Sequence, residues 1–429
     1  MNYDPQRPTH RIGFVAARIA GTDGVSLEVG KWAEVLERMG HECFYITGQS
    51  DRPEERTQLI REAHFKHPMI VEIQRQLFGR ERRTMQISAE VREMTWVIKE
   101  KLHSAIRRFD LDLIIAENCL TIPMNIPLGL AVVELVMETG IGCIAHHHDF
   151  VWERERYLVN AAEDYLRTAF PPALPQMQHV VINSQAAREF SRRTGLVCHV
   201  IPNVMDFDHP PEPPDAYALS FRESLGIGPE DFLILQPTRI VARKGIEHAI
   251  ELVRLLDDPR VKLVITHDAG DEGDAYPQWI DRYARLLAVP VYYASSWISH
   301  RRGVAPDGHR LYTVWDAYHN ADLVSYPSTY EGFGNAFLEA IYYQKPILTN
   351  CYAIYRTDIE PCGFKTFLMD GFLTEELVVQ VRQLLEDRQA WKEIVQQNYQ
   401  IARRYFSYAR VEQELRTILS KPSMAPCVP

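Results

Sequence analysis

The chain is poor in cysteine, in positive charge and in long apolar runs. Its seven cysteines (43, 119, 143, 198, 351, 362 and 427) form no Cys-x-x-Cys pair and no even ladder. A disulfide framework is therefore not expected, and most of these residues sit in apolar strand-like runs where cysteine acts as a small hydrophobe. A reducing, cytoplasmic setting fits them best. No run of 18 apolar residues occurs, so no spanning helix is expected. The opening stretch MNYDPQRPTHRIGF lacks the apolar core of a signal peptide. Lys and Arg number 47 against 57 Asp and Glu, a net charge of −10. That balance argues against nucleic acid as a partner, because a duplex binder carries a basic face. It also disfavours stable docking on anionic membranes. The one basic cluster, Arg80, Arg82 and Arg83, is interrupted by Glu81 and reads as a solvated helix face.

What the chain has is length and alternation. Its 429 residues exceed one ordinary core, so two domains are expected. A hydrophobic share of 46% with 24% charged residues is that of a soluble globular protein. Short apolar runs at 11–17, 43–48, 111–118, 142–148, 179–184 and 198–203 read as strands. Between them lie a helical pattern on Val25, Val29, Trp32, Leu36 and Met39, a long charged helical stretch over 51–108, and a helix near 127–139. Pro210, Pro211, Pro213 and Pro214 then interrupt any regular element. Alternation restarts with strands at 232–239, 261–267, 289–295, 321–328 and 345–350, and ends with helices near 374–404 and 408–420. Strands alternating with helices imply α/β architecture: two doubly wound, mostly parallel sheets. The expected division is 1–206, a Pro-rich linker 207–218, a second domain 219–404, and a helix within 405–429 that crosses back to the first. A ligand cleft is expected between the domains, outside the carboxyl ends of the strands.

The stretch SYPSTYEGFGNAFLEAIYYQKPILTN carries the clearest chemistry. Glu331 and Glu339 flank seven residues, and the backbone N–H groups of Phe333, Gly334 and Asn335 stand at a helix N-terminus. That terminus attracts anions, whereas two carboxylates repel phosphate. An ionised carboxylate accepts hydrogen bonds from hydroxyls. A diphosphate lying between two polyhydroxy rings satisfies both. Arg239 ends a predicted strand and Lys244 follows five positions later, before Gly245. A guanidinium fork and a point charge suit a diphosphate. In the first half, Gly21 and Gly24 stand between the first strand and helix but match neither G-x-G-x-x-G nor a P-loop. His146, His147, His148 and Asp149 end a strand. Alternation puts His146 and His148 on one face and His147 on the other. A zinc site would need further converging ligands. The acidic loop Asp268, Asp271, Glu272, Asp274 lacks the spacing of a calcium loop and reads as solvated.

The set of motifs resembles glycosyltransferase family 4, the retaining GT-B enzymes, over nearly the whole chain. AHHHDF, VINSQAAREF, VIPNVMDFD, RIVARKG and the E-x7-E stretch carry the likeness, in that order. Thr238 departs from the glycine that often precedes the arginine. The resemblance implies a GT-B fold of two Rossmann-like domains and a hexose moved from a nucleoside-diphosphate sugar to an acceptor hydroxyl. It implies that Arg239 and Lys244 bind the diphosphate, that Glu331 contacts the hexose, and that Glu339 holds the ribose. Gly332, Phe333, Gly334 and Asn335 line the donor through their main chain, and Gly24 lies near phosphates and acceptor. Either His148 or His146 approaches the hexose. UDP-glucose and GDP-mannose are the expected donors, and neither metal nor cofactor is implied. A small soluble acceptor is expected, a sugar or sugar acid. The rival readings are a non-catalytic nucleotide-sugar-binding subunit, or a phosphorylase or epimerase of the same fold.

Overall fold

The computed structural model describes residues 9–21, 23–270, 273–387 and 389–420. These divide into two compact units, one of residues up to 202 together with those from 408, the other of 203–407.

The first unit begins with Arg11–Ala16 (β1), apolar and almost wholly buried. Asp23 then caps Gly24–Arg38 (α1), its Oδ1 accepting from the Ser26 amide at 3.2 Å. Cysteine 43 lies in Glu42–Thr47 (β2). The stretch expected to be helical over 51–108 is not one helix. It contains an edge strand, Thr57–Leu59 (β3), and two helices, Pro68–Leu77 (α2) and Met85–Phe109 (α3). Thr57, Gln58 and Leu59 pair with Tyr45, Ile46 and Thr47, so tertiary pairing overrides the charged, helix-like composition. Pro68 opens α2 at its first turn, where a missing N–H costs nothing.

Leu113–Glu117 (β4), Ile126–Thr139 (α4), Gly142–His147 (β5), Glu163–Ala169 (α5), Met177–Val181 (β6), Ser184–Thr194 (α6) and His199–Val200 (β7) complete the run. The last strand is shorter than the expected 198–203 because Pro202 cannot donate to a ladder. Among the described residues the parallel sheet has the order β3-β2-β1-β4-β5-β6-β7.

The second unit follows the same plan. Ala216–Ser224 (α7) precedes Phe232–Gln236 (β8), Ile246–Leu256 (α8), Val261–Ile265 (β9), Ala275–Leu286 (α9) and Val291–Tyr293 (β10). A short antiparallel pair, Gly303–Val304 (β11) and Arg310–Leu311 (β12), leads to Val314–Asn320 (α10). Leu323–Tyr326 (β13), Asn335–Tyr342 (α11), Ile347–Asn350 (β14) and Phe367–Met369 (β15) follow. The helix expected over 374–404 is two, Glu375–Glu386 (α12) and Lys392–Tyr405 (α13). The final helix, Tyr408–Leu419 (α14), groups with the first unit, where Gln178 donates to the Ile418 carbonyl at 3.1 Å. The second sheet runs β10-β9-β8-β13-β14-β15.

In both sheets the winding reverses once, between β1 and β4 and between β8 and β13. Loops leaving the carboxyl ends of those strands diverge and leave room for a ligand. Arg18 and Glu117 stand there in the first unit, Arg239 and Glu331 in the second. No helix among the described residues is long and apolar enough to cross a membrane.

Candidate active site

In the second unit, β8 ends at Gln236 and the chain turns through Arg239 to a short helical turn, Ala242–Lys244. Gly245 follows with φ +60°. A Cβ there would stand 2.5 Å from the Pro327 carbonyl oxygen, so only glycine lets this turn pack against the chain leaving β13. The approach places Lys244 over the Tyr326 ring, 5.4 Å from its centroid.

Lys244 and Glu331 are joined directly: Lys244 Nζ donates to Glu331 Oε1, and Arg243 Nη1 lies 3.2 Å from Oε2. Burial would raise the Glu331 carboxyl, but Lys244 and Arg243 outweigh it and hold the group below the ordinary carboxylate range. Burial draws Lys244 below its ordinary value, with Arg243 and Arg239 acting the same way against the opposing pull of Glu331. Arg239 lies against Gly270, at which an added Cβ would stand 3.7 Å from Nη1. His267, at the end of β9, is held below its ordinary value by burial, and the charges of Arg239 and Lys244 reach it.

The Glu331–Glu339 stretch turns at Gly334, with φ +122°. A Cβ there would meet the Tyr352 hydroxyl at 2.4 Å. That hydroxyl donates to the Phe333 carbonyl at 2.8 Å, which fixes the peptide unit entering α11. The Phe333 ring itself is buried against Phe406, so only its main chain can serve a ligand. Asn335 opens α11, and its Oδ1 accepts from Asn203 Nδ2 at 2.6 Å. Gly332 lies between Glu331 and the buried Phe333. Glu339 accepts from the Tyr318 hydroxyl at 2.8 Å. Burial, then Glu339, pushes that phenol well above its ordinary range.

In the first unit, Glu117 ends β4 directly beside His146 of β5. Both His146 and His148 bond to its carboxylate: His146 Nδ1 lies 3.1 Å from Oε2, and His148 Nε2 contacts Oε1. His147 points to the other face, between Thr121 Oγ1 at 2.7 Å and His179 Nδ1 at 2.9 Å. The sheet alternation thus separates the three imidazoles as the sequence predicts. Burial would raise Glu117, but the two imidazoles hold it below the ordinary range. Burial lowers His146. For His148 burial also acts downward, yet the bond to Glu117 prevails and raises it. His146 is sealed at 1% exposure under Trp32, whose ring stacks on it at 4.2 Å. His148 keeps 11% of its side chain exposed.

The ligand atoms of Glu117, His146 and His148 lie within 4.8 Å of one another, close enough for a cation. A metal-bound histidine ordinarily donates its second N–H to a partner, and His146 Nε2 has none among the described residues. The carboxylate already engages one nitrogen of each ring, so the trio stands as a hydrogen-bonded cluster. Gly24 is the exposed first residue of α1. Of the acidic loop, Asp271 and Glu272 lie outside the described residues. Glu117, Arg243, Tyr318 and His267 were not singled out by the sequence, because each owes its place to a partner far along the chain.

Two parallel doubly wound units with these charged turns at their switch points define a GT-B protein. The descriptions "Glycosyltransferase Family 4" and "Glycosyl transferases group 1" match residues 22–209 and 309–401. The chain belongs to the GT-B glycosyltransferases of family 4. It is 31% identical to mannosylglucosylglycerate synthase of Thermotoga maritima, with 94% of this chain and 98% of that protein covered. A protein of the same name from Petrotoga mobilis is 33% identical over 82% of this chain and 85% of its own. Among solved structures, Anabaena HepE in complex with UDP and glucose superposes with a TM-score of 0.66 at 16% identity, covering 96% of this chain and 99% of that one.

Proposed function

We propose that this glycosyltransferase moves a hexose, with retention, from a nucleoside-diphosphate sugar to a hydroxyl of a small soluble acceptor. The observation that carries the reading is the largely buried contact of Glu331 with Lys244, flanked by the partly exposed Arg243, at the switch point of the second sheet. It offers cations for a diphosphate and a carboxylate for sugar hydroxyls within one contact. Arg239, Lys244 and the α11 N-terminus stabilise charge on the leaving phosphate. Glu331 binds the hexose and Glu339 the ribose hydroxyls. His148 rather than His146 meets the hexose, since His146 is sealed.

In a front-face displacement the bond from C1 to the phosphate oxygen breaks and the acceptor oxygen bonds C1 on the same face. The acceptor proton passes to the leaving phosphate oxygen, and no protein nucleophile is required. The relatives' name describes a product built of mannosyl, glucosyl and glycerate parts, which supports a mannose or glucose donor and a soluble acceptor. Arg83 bonds Asp164 at 2.5 Å, which leaves the basic cluster weaker than its sequence suggests and favours the same choice. Six free cysteines among the described residues support a reducing, cytoplasmic setting.

The test is release of nucleoside diphosphate from a panel of donors and acceptors, with the product anomer read by NMR. UDP-glucose or GDP-mannose should turn over with retention, and activity should survive EDTA. Donor binding without turnover would leave a non-catalytic subunit. Turnover only with inorganic phosphate would make it a phosphorylase.

A further inference from the structure

Glu339 of α11 is half-buried, whereas Tyr318 of α10 is fully buried. The Tyr318 hydroxyl reaches Glu339 Oε2 at 2.8 Å and lies 3.4 Å from the Ala336 carbonyl oxygen. A phenol has one hydrogen to give, and the shorter contact to the charged acceptor takes it. Burial, with Glu339 beside it, holds the phenol well above its ordinary range, so the hydrogen stays on it.

The ring that carries this hydroxyl is fixed. Tyr343 stacks on it at 5.3 Å with the planes 10° apart, and Trp315 lies at 6.2 Å. The short helix behind it is fixed as well. Thr313 and Asp316 form a capping box at its N-terminus. Arg302 Nε donates to Asp316 Oδ1 at 3.1 Å, and Asn320 Nδ2 donates to the Ala218 carbonyl at 2.8 Å. A glutamate side chain loses rotamer freedom when a ligand must order it. Here a rigid donor on α10 orders the carboxylate of α11 before any ligand arrives. An ionised carboxylate offers about four acceptor sites on two oxygens, so the bond from Tyr318 is compatible with bonds from ribose hydroxyls.

We infer that Tyr318 is a positioning residue: its hydroxyl holds the Glu339 carboxylate in the orientation that receives the ribose hydroxyls of the donor, and so strengthens selection for a ribonucleotide over its deoxy analogue. The inference rests on the reading that Glu339 binds the ribose. A group already held in its bound orientation saves the ligand the cost of ordering it. That saving is realised only by a ligand that carries the hydroxyls.

The experiment compares UDP with 2′,3′-dideoxy-UDP, and the GDP pair in parallel, by calorimetric titration of wild type, Tyr318→Phe, Glu339→Gln and the double variant. Wild type should prefer the ribonucleotide. Tyr318→Phe should weaken it by about 3- to 10-fold, the effect of one hydrogen bond, while changing the dideoxy analogue little. With the donor that turns over, its KM should rise by a similar factor and kcat should change less. Glu339→Gln should remove most of the preference, and Tyr318→Phe should add little in that background. Equal weakening of both nucleotides by Tyr318→Phe, a preference kept at the wild-type ratio, or additive losses in the double variant would each overturn the inference. A measurement on the unsubstituted protein stands beside the variants, whether or not they fold. The ¹³Cζ signal of labelled Tyr318 should shift with saturating UDP or GDP and not with the dideoxy analogue, and an equal response to both would overturn the inference. A Glu339→Gln variant with the full wild-type preference would defeat the ribose reading itself and the inference with it. That failure is separate from one in which Glu339→Gln loses the preference and Tyr318→Phe keeps it.

Discussion

Glu117→Gln isolates what the carboxylate between His146 and His148 does. The amide has the same shape, but one oxygen becomes an NH2 group. A carboxylate accepts from both imidazoles, whereas the amide accepts from one and must donate to the other. Charge-assisted hydrogen bonds are worth about 1.5–3 kcal/mol, so the variant should lose about that much stability wherever His148 is protonated. The sign follows from the pair. His148 is raised in the folded state, so its contribution is fully present below the unfolded value near about 6.5 and fades as pH rises through the folded value. The stability gap between wild type and variant should be widest in mildly acidic buffer and narrow in alkaline buffer. Without the Glu117 carboxylate, burial is opposed only by the charges of Glu28 and Asp149, so His148 should titrate lower in the variant. Chemical denaturation across pH reads the first effect and histidine NMR titration the second. A gap that does not vary with pH, or a His148 that titrates alike in both proteins, would refute the reasoning.

Lys244→Ala and Arg239→Ala should each lower kcat/KM by about 10²–10³, the range for one preorganised donor, with the fold kept by circular dichroism; near-wild-type turnover in either removes it from the diphosphate site. Gly334→Ala forces a side chain into φ +122° and within 2.4 Å of the Tyr352 hydroxyl, so urea unfolding should show a loss of about 2–5 kcal/mol. Adding Tyr352→Phe should recover part of that loss, and no recovery would mean that backbone strain is the whole cost. Acid should weaken the first unit through His147 and His179: burial holds His147 well below its ordinary value and His179 down to about 4. Depressed histidines stabilise the fold above the unfolded value near about 6.5 and lose that contribution as pH falls toward 4. His179→Gln should flatten the fall in melting temperature across that window.

The fold was legible because buried parallel strands are written as apolar runs. Phe232–Gln236 and Val261–Ile265 are nearly all apolar and flanked by turn residues, so they announce themselves. Elements that depend on a neighbour did not. Thr57–Leu59 is three residues of mixed character inside a charged stretch, and it is a strand only because β2 offers it a free edge. Phe367–Met369 is a strand because β14 lies beside it, with Leu348 opposite Phe367. The break between Glu386 and Lys392 has no proline or glycine to mark it.

The candidate site divides along the same line. Motif spacing singled out Arg239, Lys244, Glu331 and Glu339 one by one, and it gave each an expected ligand and not a neighbour. The structure makes Lys244 and Glu331 partners of each other. That pairing changes the energetics of the proposed donor complex. Taking one partner from a buried ion pair costs up to about 3–5 kcal/mol when nothing replaces it, and without Lys244 the Glu331 carboxylate keeps only the partly exposed Arg243 at 3.2 Å. A diphosphate that draws Lys244 away must therefore arrive with a group that satisfies Glu331, and hexose hydroxyls are such a group. The two halves of a nucleotide sugar are then coupled through one contact, each compensating for the partner that the other removes. A free hexose or an isolated phosphate satisfies only one side of the pair. In that proposed complex, discrimination for the intact donor would follow from the pairing, with Arg243 on the second oxygen of Glu331.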